Sequence, residues 1–109
     1  MMARYPSEEE LKHIREFQGD HMELLDFVDD VWIHEYGLMK RHNYGRQHKV
    51  YFATGGWSGN EDIMEALRES KSLFWMMHWQ KSKRGGAYRF ELPSKAKTIV
   101  KHGLVSLFG

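Results

Sequence analysis

Apolar residues recur at helical spacing through the first third of the chain and give way to alternation in the middle. Leu11, Ile14 and Phe17 follow Pro6-Ser7-Glu8-Glu9-Glu10, where Ser7 and Glu10 have the separation of a capping box and the carboxylates sit at the positive end of the dipole. The pattern stops at Gly19, and Asp20-His21-Met22-Glu23 repeats the same start signature. Plotted at about 100° per residue over 20–36, Leu24, Leu25, Val28, Val31, Trp32 and Tyr36 fall in one sector of about 140°, the face that packs. Glu23, Asp26, Asp30 and His34 lie opposite, three or four residues apart. They are expected to form an acidic ridge with an Asp30–His34 pair, and Glu35 is placed at the rim as the helix ends at Gly37.

Residues 38–47 read as a basic connection with Asn43 and Gly45 as turn formers. Residues 48–54 alternate as a strand does, with Val50 and Phe52 on one face and Lys49, Tyr51 and Ala53 on the other. A third helix is predicted over about 60–70, its apolar side formed by Ile63, Met64, Ala66 and Leu67. The run 73–80 is apolar on both parities, which predicts a central strand, and residues 87–92 alternate again, so the Gly85-Gly86 connection reads as a hairpin. Residues 94–101 suit a short helix, and Leu104, Val105, Leu107 and Phe108 an added strand or packing tail. The expected class is α+β: two N-terminal helices followed by a small β-α-β-β unit with an antiparallel hairpin. One domain over 1–109 is expected, with an acidic helical pair at 1–37, a core at 48–92 and an extension at 93–109.

Composition narrows the function classes. The chain has no cysteine, which excludes a disulfide framework, a thiolate nucleophile and every cysteine-ligated metal site. No apolar segment is long enough to span a bilayer, and the N-terminus has no apolar signal core, so a soluble, cytoplasmic protein is expected. The net charge of +1 conceals a separation. Residues 1–36 carry three cations against ten carboxylates, a net −7, and residues 37–109 carry thirteen against five, a net +8. Either an acidic layer packs beside a basic one, or the molecule is dipolar and its basic side meets phosphate.

Two stretches could carry chemistry. Thr54-Gly55-Gly56-Trp57-Ser58-Gly59-Asn60 joins a strand to a helix, with Ser58 and Glu61 at capping-box spacing, and free N–H groups at such a helix start attract anions. It lacks the P-loop lysine and the dinucleotide-fold glycine spacing, and the same residues equally serve a plain strand-to-helix turn. Lys81, Lys83, Arg84 and Arg89, with Trp79 just before them, suit phosphate contact and base stacking, although a hairpin tip is also where exposed cations belong. None of the seven histidines forms an H-x-x-x-H or H-E-x-x-H pair, and His78, inside an apolar run, reads as a hydrogen-bonded core histidine. No catalytic residue, metal or cofactor is expected.

Residues 54–61, with Phe74-Trp75, Arg84-Gly85-Gly86, Tyr88 and Phe90, resemble a group of short uncharacterised proteins of tailed bacteriophages and prophages, over about 48–92. The resemblance implies a bacterial cytoplasm and no particular chemistry. The preferred expectation is a non-enzymatic module that binds nucleic acid or a nucleotide through the Gly-rich loop and the basic hairpin. The rival is a module that blocks a host protein through Glu23, Asp26, Asp30 and His34, and a small hydrolase comes third. Four tryptophans leave room for either a monomer or a homodimer.

Overall fold

The computed structural model describes residues 5–93, and the elements expected over 94–108 lie outside them. Ser7 and Glu10 close their capping box at 2.9 and 3.0 Å, starting α1 (Glu8–Glu16), and Asp20 accepts from the Met22 N–H to start α2 (His21–Val31). The second helix ends five residues earlier than its apolar period predicts. The cause is tertiary: the Ile33 N–H, which would continue the helical ladder, instead donates to Asn60 Oδ1 at 2.9 Å, and the Ile33 carbonyl accepts from Asn60 Nδ2 at 3.1 Å. Residues 33–37 therefore form a turn, and Tyr36 leaves the core face for the surface.

The segment read as a basic connection is a strand. β1 (Leu38–Tyr44) pairs antiparallel with β2 (Gln47–Ala53) through the two-residue turn Gly45-Arg46, where Gly45 takes a φ of 63° and Arg46 does not, as a type II′ hairpin turn requires. β1 lacks an apolar alternation because only Met39 of its residues reaches the core. α3 (Ser58–Glu69) begins two residues before its predicted start. Trp57 stands at its N-cap with no side-chain bond, so the Ser58–Glu61 capping box does not form.

The run 73–80 is chiefly helical rather than a central strand. Phe74 and His78, four apart, are buried while Met76 and Met77 between them are exposed, which is a helix period. Ser72 Oγ accepts from the Phe74 N–H and Leu73 enters at a left-handed φ of 64°, opening α4 (Phe74–His78). β3 (Trp79–Lys83) and β4 (Ala87–Pro93) then form the expected hairpin. The α+β class stands, with the β-α-β-β unit enlarged by one strand and one short helix.

The four strands make one antiparallel sheet in the order β1-β2-β4-β3. Inward positions Met39, Val50, Phe52, Phe90 and Leu92 join Leu24, Leu25, Val28, Trp32, Ile63, Leu67 and Phe74 in the core, where Phe52 and Phe90 meet edge to face at 5.8 Å. The helices thus cover one face of the sheet only. Among the described residues no helix is long and apolar enough to cross a membrane.

Asn60 is fully buried, and its amide also approaches the Thr54 carbonyl at 3.5 Å. Replacing it by alanine leaves the Ile33 N–H without its partner, while the Ile33 carbonyl keeps the Tyr36 and Gly37 N–H groups. Asn60→Ala is expected to lower unfolding free energy by about 1–3 kcal/mol, read as a fall in the urea midpoint at unchanged m-value.

Candidate nucleic-acid interface

Alternation in a sheet covered on one side sends every second side chain to water. On this open face the register sets Lys40 opposite Tyr51, Tyr51 opposite Arg89 and Arg89 opposite Lys81, a row that crosses all four strands. At the usual strand spacing the row spans about 14 Å. Lys83 stands one outward position along β3, opposite Ala87, and Lys49 lies one outward position along β2 from Tyr51. Among the described residues, five cations therefore share the face with one carboxylate, Glu91, which reaches Lys49 only at 3.7 Å.

Tyr51 lies on an inner strand and remains 38% exposed, so its ring is presented among cations rather than packed. Tyr51, Lys81, Lys83 and Arg89 line a shallow hollow of about 80 Å³. A second aromatic group caps the β1–β2 end, where Lys49 Nζ stands 4.8 Å over the Tyr44 ring and His42 is 5.8 Å from it. Exposed aromatic rings interleaved with an excess of cations can stack bases and hold phosphates.

The residues anticipated from sequence divide between this face, the β3–β4 hairpin and the strand-to-helix loop. Lys81, Lys83 and Arg89 are on the face. Arg84 is exposed at the hairpin tip, and Trp79 pairs in register with inward Phe90 and donates from Nε1 to Ser82 Oγ at 2.7 Å, away from the row. The Gly-rich loop does meet the hairpin, since the Thr54 N–H donates to the Gly86 carbonyl at 3.0 Å. Several of its residues, however, are packed or bonded within the fold. A Cβ on Gly55 would lie 1.7 Å from the Tyr36 carbonyl, one on Gly59 2.6 Å from Trp57 Nε1, and Gly56 donates to Thr54 Oγ1. Trp57 lies between Tyr5 and Tyr36 at 4.7 and 4.9 Å, and Ser58 Oγ bonds the Tyr5 hydroxyl. The opening between Gly56, Gly85, Gly86 and α3 is lined by Glu61 and Glu65 against a single cation, Arg68, which disfavours an anion.

The acidic ridge is also broken. α2 ends before His34, whose Nε2 meets Asp29 at 3.0 Å rather than Asp30, and Asp26 accepts from Arg41 Nη1 at 2.7 Å. Glu23 and Asp30 remain exposed on the helix.

Lys40, Lys49 and Tyr51 escaped notice as site residues because β1 was not legible as a strand, and without it β2 is an edge whose outward residues have no row to join. The signal lay in Leu38, Lys40, His42 and Tyr44, one parity of the segment, running to a glycine two residues before the next alternating run.

No protein-family model, curated protein or solved structure matches the chain.

Arg41 also donates from Nε to His48 Nε2 at 3.1 Å, and His48 Nδ1–H donates to Asn43 Oδ1 at 2.8 Å, so the ring is held neutral beneath the face. Burial, and then the Arg41 charge, lower its pKa below the ordinary 6.5. As pH falls through 6.5 the unfolded chain takes up a proton that the folded ring refuses, so this contribution, complete above 6.5, is lost toward the lower folded value. His48→Gln is expected to flatten the fall in stability between neutral and mildly acidic pH, checked by urea titrations across that range.

Proposed function

We propose that the open face of the sheet binds single-stranded nucleic acid without an enzymatic step. The observation that carries this reading is the row Lys40–Tyr51–Arg89–Lys81, which places a ring on an inner strand between cations on both sides. Phosphate contacts from the lysines and arginine give affinity that falls with salt, and Tyr51 supplies a stacking platform that every base can use. A flat sheet face suits splayed bases of a single strand, whereas reading a duplex needs an element that enters a groove.

The charge separation assists. The helices carry most of the carboxylates on the covered side of the sheet, so the molecule is dipolar, and a polyanion approaching the basic face is oriented before contact. In a bacterial cytoplasm, the setting that the phage resemblance implies, single-stranded DNA and RNA are both at hand. The host-protein reading has less support, because Asp26 is already engaged by Arg41 and His34 by Asp29.

Fluorescence anisotropy with a labelled oligothymidine and an oligouridine tests the proposal. Tyr51→Ala is expected to weaken binding by about 1–3 kcal/mol, roughly 5- to 150-fold. Lys40→Gln and Arg89→Gln should each reduce the slope of log affinity against log salt by about 0.7, while Trp57→Phe changes neither quantity. Absence of binding at low salt, or affinity untouched by Tyr51→Ala together with Arg89→Glu, rules the proposal out.

A further inference from the structure

The row from Lys40 to Lys81 occupies one end of the open face, and the most exposed ring lies outside it. Tyr44, the last residue of β1, is 65% exposed, more than any other aromatic side chain among the described residues. It shares the parity of Lys40 and His42, so it stands on the same side of the sheet as Tyr51. The Lys49 ammonium over its ring holds that ring in place and sets a charge directly beside it.

Register fixes the distance between the two rings. Tyr44 pairs with Gln47, and Tyr51 stands four residues further along β2. Four residues of strand advance about 13 Å and one crossing between strands adds about 5 Å at right angles, so the two positions are about 14 Å apart. Lys49 occupies the outward position midway along β2. His42 faces it from β1, in register, with its ring 5.8 Å from that of Tyr44. A cation and an imidazole N–H, both able to donate to phosphate oxygen, therefore lie between two stacking surfaces.

The repeat of a single strand matches this interval. Stacked nucleotides follow one another at about 3.4 Å, and a strand whose bases are splayed apart advances roughly twice that per step, so about 14 Å is two steps. If one base lies on Tyr51, the next but one reaches Tyr44, and the phosphates between them pass over Lys49 and His42. Charge also sets the route. Glu91 sits opposite Lys49 on β4, where it turns phosphate away from a course along β4 and toward β1.

We propose that Tyr44 is a second base-stacking site, and that the bound strand crosses the face diagonally, from Lys81 and Arg89 through Tyr51 and Lys49 to Tyr44 at the β1–β2 turn. This inference rests on the nucleic-acid reading and adds to it a path and a length. The diagonal measures about 20 Å, three extended steps, so roughly four nucleotides fill it. A dinucleotide spans one step and cannot touch both rings.

Length dependence and crosslinking test the path on the whole protein. Tyr44→Ala is expected to weaken binding of a thymidine hexamer roughly 5- to 150-fold while leaving that of a thymidine dinucleotide, measured by competition, within twofold of wild type. Tyr44→Phe should keep the hexamer affinity within twofold, because stacking uses the ring and not the hydroxyl. In the wild type, irradiation with a hexamer of 5-iodouracil should leave adducts on both Tyr44 and Tyr51, read by mass spectrometry of the peptides. Hexamer affinity unchanged by Tyr44→Ala while Tyr51→Ala weakens it, an equal loss for both lengths, or adducts confined to Tyr51 would each overturn the second site and leave the row intact. Failure of the wild type to bind any oligonucleotide at low salt would overturn the row and the second site together.

Discussion

A buried side-chain amide holds this fold in register. Asn60, at the third position of α3, offers its oxygen to the Ile33 N–H and its nitrogen to the Ile33 and Thr54 carbonyls, doing for the 33–37 turn what a neighbouring strand would do. Two neighbours show how tightly the joint is built. A Cβ on Gly37 would lie 2.6 Å from Asn60 Nδ2, and one on Gly55 would intrude on the Tyr36 carbonyl. The turn must therefore lie against the strand-to-helix loop at backbone distance. That contact ends α2, turns the chain into β1 and fixes how the acidic helical pair sits on the sheet. Within the Gly-rich stretch, Gly55 and Gly59 leave no room for a Cβ, the first against the Tyr36 carbonyl at this joint and the second against Trp57.

Once the helices are fixed on one face, the other face follows from the pleat. Val50, Phe52, Phe90 and Leu92 must point inward to fill the core, so Lys49, Tyr51, Arg89 and Glu91 must point outward. A slip of one residue would bury two cations, so the core enforces the composition of the exposed face. The antiparallel register then aligns outward residues from separate strands into one row. Basic character that reads along the chain as scattered lysines becomes a surface only through this pairing.

Helix-start signatures made α1 and α2 legible and an amphipathic stripe α3, and alternation revealed β2 and β4, because these signals are local. The elements that went astray depend on distant partners. α2 stops at Val31 because Asn60 captures Ile33, 27 residues away. β1 carries too few apolar residues to show its period, since as an edge strand it sends only Met39 to the core. In 73–80 the apolar residues occupy both parities, and the helix shows instead in the 74/78 spacing and in the Phe74 N–H bond to Ser72 Oγ, which a parity count overlooks. The candidate site was legible in half: Lys81, Lys83 and Arg89 stand out as charges beside a turn, whereas Lys40, Lys49 and Tyr51 join them only across strand pairs.

The proposed binding surface is the sheet's open face, not the Gly-rich loop or the acidic helix. Heteronuclear NMR titration of the protein with a short single-stranded oligonucleotide at low salt addresses it directly. The expected result is that perturbed resonances trace Lys40, Tyr51, Arg89 and Lys81 across the four strands while Glu23 and Asp30 on α2 stay still. Perturbations gathered on residues 54–60, or along α2 with the row unmoved, would contradict it.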